Sequence, residues 1–263
     1  MSFTRRGFIT STTASAAGLA LPRSTAHAQT LPDNARIFAG FAPGGTVDVT
    51  ARRLADKLRD VLAKNVQVEN CTGAGGQIAL SALKTATPDG LTLLVTPMSM
   101  LGIYPHTYKK LPGELFGRAA NLDLKHVPYR GTQPAIVDLM GGQVASVSGP
   151  VGEFLQHLPT GKLRLIATSG PARNKFAPTV PTYAEQGFRD IVYVEWFGVF
   201  MLGKAAPDVL NKVSAAVRAA LAALGLMGLE SKGSTSTELA ALLKKDTERW
   251  APLVKSIGFT ADS

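Results

Sequence analysis

A single cysteine, Cys71, stands in the 263 residues. That excludes an intrachain disulfide and leaves the fold to rest on its packed core. Histidine is almost as scarce, with four in the chain. His106, His126 and His157 are isolated, with no Glu or His at the spacing a helix needs to bring two ligands to one ion, so no metal centre is expected. His126, ahead of Val-Pro-Tyr, reads as structural rather than catalytic. Charged residues make up 18% of the chain. The Lys/Arg excess is scattered, without a dense basic run or interleaved aromatics. It predicts solubility and weak steering of anions rather than nucleic-acid or membrane binding. No apolar run reaches the length of a bilayer span. Neither a Gly-x-Ser-x-Gly elbow nor a P-loop Lys-Ser/Thr occurs, and no repeat, heptad or low-complexity tract is found. No cofactor is expected.

What is present begins with the amino terminus. Thr4-Arg-Arg-Gly-Phe-Ile9 is a twin-arginine start, followed by a mildly apolar Ala/Ser/Thr-rich run to Leu21 and a small-x-small site at Ala26-His27-Ala28. Residues 1–28 therefore read as an export signal cleaved after Ala28, with Gln29 as the new terminus. This segment holds Arg5, Arg6 and Arg23 and no acid, so its removal lowers the net charge from +9 to +6.

Two glycine clusters carry the chemistry. Phe41-Ala-Pro-Gly-Gly-Thr-Val-Asp48 and Asn70-Cys-Thr-Gly-Ala-Gly-Gly76 each follow a short β-like run and precede a helical one. A strand that breaks at glycines and restarts as a helix presents main-chain N–H groups at a helix N-terminus, where carboxylate or phosphate binds. Cys71 reads as a small turn residue rather than a reactive thiol, since no positioned His or Asp accompanies it.

Val47, Ala51, Leu54, Leu58 and Val61 recur at helical steps, Val66–Val68 reads as a strand, Ile78–Ala86 as a helix and Leu91–Val95 as a buried strand. This β-α-β-α-β order implies a parallel sheet with ligands beyond its carboxyl edge. A second series predicts strands at 124–127, 144–148, 163–168 and 192–202, and helices at 134–140, 153–158 and 207–224. A last helix opens with the capping box Thr235-x-x-Glu238 and continues to Gly258, kinked or divided at Pro252. Trp196-Phe197 reads as core before cleft wall, and Trp250 as packing. Arg130 is open between a solvated side chain and a partner for a distal carboxylate.

The ordered motifs resemble the extracytoplasmic solute receptors of tripartite tricarboxylate transporters, the Bug or TctC-like family. Beside the two glycine loops stand Pro-Asp-Gly-x-Thr-Leu-Leu at 88–94, Tyr-x-Lys-Leu-Pro at 108–112 and His-Val-Pro-Tyr-Arg-Gly at 126–131. They continue with Asp-Leu-Met-Gly-Gly-Gln-Val at 138–144, Gly-Lys-Leu-Arg at 161–164, Pro-Thr-x-x-Glu at 181–185 and Trp-Phe-Gly at 196–198. The resemblance implies a two-lobed α/β periplasmic-binding-protein fold of type II-like form, with parallel-sheet lobes and helices on both faces. Lobe 1 would span 29–105 and 225–263, and lobe 2 residues 106–224. It implies a periplasmic receptor that performs no chemistry and passes a small carboxylate (a di- or tricarboxylate, or an acidic amino acid) to membrane subunits. Phe41, Ala42, Gly44 and Gly45 would form one cradle, supported by Asp48. Gly73, Ala74 and Gly75 would form a second, with Thr96 and Ser99 in the loop after the third strand.

The chain departs from this pattern at definite places. Family members carry a hinge strand, a helix and a Ser/Gly-rich ligand loop where Pro112 is here followed at once by Gly113, so lobe 2 reads as truncated by something over one βαβ unit of about 30 residues. Gly149 stands where the family often has an acid, Cys71-Thr72 replaces Arg-Pro, and a shorter gap falls near Gly225–Gly228. Two rival readings follow. One is a non-binding remnant with unpaired sheet edges. The other is an exported enzyme using an anionic substrate or nucleotide, which Ile78 opposes by standing where a dinucleotide fingerprint wants Gly or Ala.

Overall fold

The computed structural model describes residues 31–103, 116–222 and 229–256. The twin-arginine segment with its cleavage site, His106, the Tyr108–Pro112 motif and the gap near Gly225–Gly228 lie outside the described residues. The described residues group as one compact unit.

The first series forms as its periodicity predicts except at Val61, which lies beyond the end of its helix and is 48% exposed. Strand β1 (Asn34–Ala39) leads to helix α1 (Thr46–Leu58), strand β2 (Asn65–Asn70), helix α2 (Gln77–Lys84) and strand β3 (Thr92–Pro97). β1 is central, parallel to both neighbours, with Ile37 opposite Val68 on one side and Leu93 on the other. Strand β4 (Phe197–Phe200) joins the far side of β3 antiparallel, which makes the sheet mixed, in the order β2-β1-β3-β4. Because successive side chains of a strand point to opposite faces, Ala35, Ile37, Ala39, Leu93 and Val95 pack on one side of the sheet. There they meet the buried stripe of α1 and Val213, Val217 and Ala220 of helix α5 (Pro207–Ala222). Phe38 and Leu94 face the other way, onto Ala79 and Leu83 of α2. The chain leaves β1 toward β2 and then crosses to β3, so the sheet has a topological switch point between β1 and β3, and both glycine loops open at that carboxyl edge.

The second series keeps its helices but not its strands. Helix α3 (Thr132–Met140) and the short α4 (Val151–Leu155) form near their expected positions. The stretches 124–127 and 144–148 carry no ladder, 163–168 contributes a single bridge from Thr168 to Thr182, and 192–202 pairs only over Phe197–Phe200. The reason is physical. An apolar alternation supplies a face but not a partner, and a strand whose main chain finds no neighbour is left to water. Leu124, Val127, Ile166 and Val194 accordingly remain exposed.

Helix α6 (Ser236–Ser256) runs undivided through Pro252 as far as it is described. Its capping box is real. The Thr235 N–H and hydroxyl donate to Glu238 Oε2 at 2.7 and 2.9 Å, and the Glu238 N–H returns to Thr235 Oγ1 at 3.2 Å. The helix lies against the turn after β3, with Asp246 Oδ2 accepting from Trp196 Nε1 at 2.6 Å. Trp250 is buried against Tyr193, as packing predicts. Among the described residues no helix is long and apolar enough to cross a membrane.

Candidate functional site

The loop from β1 into α1 is held from below by Asp48. This carboxylate is 2% exposed. It accepts the Gly44 N–H at 2.9 Å, Arg52 Nε at 3.0 Å and Asn70 Nδ2 at 2.9 Å, and pairs with a second Arg52 nitrogen at 2.9 Å. Desolvation pushes its acidity down, but the hydrogen bonds from Arg52, Gly44 and Asn70 outweigh that and hold the carboxyl below the usual range. Asn70 also donates to the Phe41 carbonyl at 3.1 Å, tying the first loop to the end of β2. Asp48 is thus a support of the loop.

The first loop's donors are largely spoken for. Ala42 N–H donates to the Arg130 carbonyl at 3.2 Å, Gly45 N–H to the Ala42 carbonyl at 3.4 Å, and Gly44 N–H to Asp48. Thr46, the first residue of α1, donates its N–H at 2.8 Å and its hydroxyl at 2.6 Å to Oε1 of Glu153, from α4. Arg130 therefore meets this loop through its carbonyl, while its side chain stays exposed. A Cβ on Gly131 would lie 3.7 Å from Ala42 N, so the second series packs directly on the loop. Gly149 is needed there: a Cβ would stand 2.5 Å from Thr132 Cγ2.

The second loop differs. Gly73, Ala74, Gly75 and Gly76 all have positive φ, at 129°, 45°, 61° and 92°, a left-handed run that glycine tolerates and most residues do not. Gly76 is buried beneath Phe41 and Met100, its would-be Cβ 2.5 Å from Met100 Sδ. Ala74 and Gly75 are exposed, and among the described residues their N–H groups have no internal partner. These exposed N–H groups stand just ahead of α2, donors of the kind an anion uses at a helix start. Cys71 is half-buried nearby, and burial, with Glu69 adding, pushes its thiol up, away from reactivity.

At the third loop the sequence expectation divides. Ser99 N–H donates to Glu195 Oε1 at 3.1 Å. Thr96 lies fully buried within β3, its hydroxyl on Met100 Sδ at 3.1 Å, so the structure does not bring it to the loop surface. Part of Glu195 is accessible, yet its carboxyl is enclosed. Desolvation raises its pKa although Tyr193 Oη and the Ser99 N–H donate to it.

Glu153 and Glu195 escaped the sequence reading. Each had a signal: Glu153 is the one acidic residue between Asp138 and Glu185, and Glu195 interrupts an apolar run from Ile191 to Met201. Among the described residues no cluster of His, Cys, Asp or Glu could hold a metal. A separate cavity of about 220 Å³ opens by Arg36, Gln67, Glu69, Asp89 and Thr92, away from all three loops. It is smaller than the ~300–1,000 Å³ usual for ligand sites.

Comparison with known proteins bears on this geometry. The sequence model described as "Tripartite tricarboxylate transporter family receptor" matches residues 50–116 and 113–259. The two stretches meet just beyond Pro112, where the missing segment was expected. BugT of Bordetella pertussis is 28% identical over 309 aligned residues, covering 92% of this chain and 94% of that protein. That alignment is longer than this chain, so BugT carries residues with no counterpart here. A protein from a tcbD-tcbE intergenic region of Pseudomonas is 27% identical over 81% of this chain and 83% of its own. Among solved structures, a periplasmic transporter matches with a TM-score of 0.78 at 25% identity, over 87% of this chain and 98% of that one. MatC from Rhodopseudomonas palustris, solved with bound malate, matches at 0.74 and 22% identity over 84% and 99%. Another R. palustris protein, solved with adipate, matches at 0.80 and 18% identity over 87% and 98%. These last two establish the shared fold.

Proposed function

The chain belongs to the family of tripartite tricarboxylate transporter receptors, and from that premise we propose that it is a periplasmic receptor that binds a small carboxylate for such a transporter. The observation that carries the reading is the second glycine loop, where the exposed Ala74 and Gly75 N–H groups stand without internal partners at the switch-point edge of the sheet. A carboxylate leaving water needs several charge-assisted donors, and oriented main-chain N–H groups supply them without a competing positive side chain. Gly73, Ala74 and Gly75 form the primary seat in this proposal. Phe41, Ala42, Gly44, Gly45 and Ser99 line its approaches, and Asp48 fixes the first loop. Relatives in this fold solved with malate and with adipate make dicarboxylates the first candidates, with acidic amino acids next. Binding and release are the whole activity, and the membrane subunits are the receiving partners. The amino-terminal twin-arginine segment would direct export.

Titration calorimetry with malate and adipate tests this, with the Gly75→Val variant as control. Valine is strained at φ 61° and would disturb the loop. The parent should bind one of the acids, and the variant should bind it at least about tenfold more weakly. Equal affinity in the two would remove the second loop from the site.

A non-binding remnant remains the rival, favoured by the exposed Leu124, Val127, Ile166 and Val194 in a half that lacks its ladders. A working receptor and a remnant part company in whether ligand stabilises the fold.

A further inference from the structure

Glu153 stands where the first loop would hold a ligand's carboxylate. Its Oε1 takes both the N–H and the hydroxyl of Thr46 at 2.8 and 2.6 Å, and its Oε2 lies 3.5 Å from Gln133 Nε2. The side chain lies flat on Gly45, whose would-be Cβ is 3.6 and 3.7 Å from the two oxygens. It is 8% exposed. This is the contact expected of a bound anion at a helix start: a carboxylate on the first main-chain donor of α1 and on the hydroxyl beside it. Here the anion belongs to the chain itself.

We propose that Glu153 is a built-in competitor for the carboxylate site, a residue that sets affinity and selectivity because a free carboxylate must displace it from Thr46 to use the first loop. The inference rests on the reading of the glycine loops as carboxylate seats. Two arguments favour competition over a purely structural cap. A tethered carboxylate acts at the high effective concentration of an intramolecular ligand, so it weakens any external carboxylate for the same donors. In addition, Asp48 already places one buried negative charge under this loop, balanced by Arg52. A second carboxylate beside Glu153 would meet like charge unless Glu153 left. With Glu153 seated, the second loop is free to hold one carboxylate and the first is closed to another. A dicarboxylate therefore gains its second anchor only on displacement.

The test is calorimetric titration of malate and adipate into the purified full chain, its Glu153→Ala variant and its Glu153→Gln variant, with a thermal melt of each. Glutamine keeps the shape and one acceptor oxygen without the charge, so it decides the matter if the alanine variant does not fold. The proposal predicts binding about tenfold tighter or more in Glu153→Ala and a smaller gain in Glu153→Gln. A gain for variants over a parent with no measurable binding supports it equally. Unchanged or weaker binding in folded variants of a parent that binds would overturn it, and would make Glu153 a helix cap whose loss only loosens the fold. Absence of binding in all three would instead bring down the receptor reading, and this inference with it.

Discussion

Two enclosed carboxylates beside the loops, Asp48 and Glu195, have surroundings that shift their titration in opposite senses. Asp48 is ionised and held so by Arg52, Gly44 and Asn70 against the cost of its burial. Glu195 is enclosed, and desolvation outweighs its donors, so its pKa stands above the ordinary 4.5. The two signs act on stability in opposite directions. A carboxyl raised in the fold contributes stability that is fully present below its ordinary value and is lost as the pH rises through its raised value. A lowered one contributes stability that is present above its ordinary value, 3.8 for Asp48, and is lost as the pH falls through its lowered value. Stability should thus increase on acidification from neutral pH toward about 4.5, then fall below about 3.8. The Glu195→Gln variant should lose the first slope and melt higher than the parent at neutral pH, while keeping the acid-side fall. Melting midpoints from pH 3 to 8 check this, and an unchanged slope in the variant would reject the assignment to Glu195. None of this was legible in the sequence, where Glu195 is one acid in an apolar run. Tyr193 lies two residues away, but Ser99 reaches it only because β4 docks beside β3.

The elements divide by whether their determinants are local. Helix α1 follows from Val47, Ala51, Leu54 and Leu58 at helical spacing, and β3 from a continuous apolar run; both form with the expected buried faces. The start of α6 was legible in four residues, since the capping box needs only Thr235 and Glu238. Thr235→Ala should cost about 1 kcal/mol of unfolding free energy, measured in urea. A cost near zero would mean that packing alone holds this helix start. The strands of the second series were misread for a non-local reason. Leu124, Val127 and Ile166 give the right alternation, but a ladder requires a neighbouring strand, which alternation alone does not specify. The candidate site divides in the same way. The glycine loops were visible as residue types, whereas the occupation of Thr46 by Glu153, 107 positions away, was not.

At the scale of the molecule, two halves of unequal completeness share one compact unit. The first has a sheet covered on both faces, a switch point and a loop of free main-chain donors. The second braces the first loop through Arg130, Gly131 and Glu153, yet leaves apolar side chains in water. Whether the whole still acts as a receptor depends on whether ligand energy is coupled to the folded state, and that coupling is measurable. The most direct measurement is a thermal melt of the purified chain, alone and with malate, adipate and a panel of other small carboxylates. A ligand at 100 times its dissociation constant stabilises the fold that binds it by about 2.7 kcal/mol. The account predicts one cooperative transition whose midpoint rises with at least one carboxylate and rises further with its concentration. A cooperative transition that no carboxylate moves, or no cooperative transition at all, would contradict it.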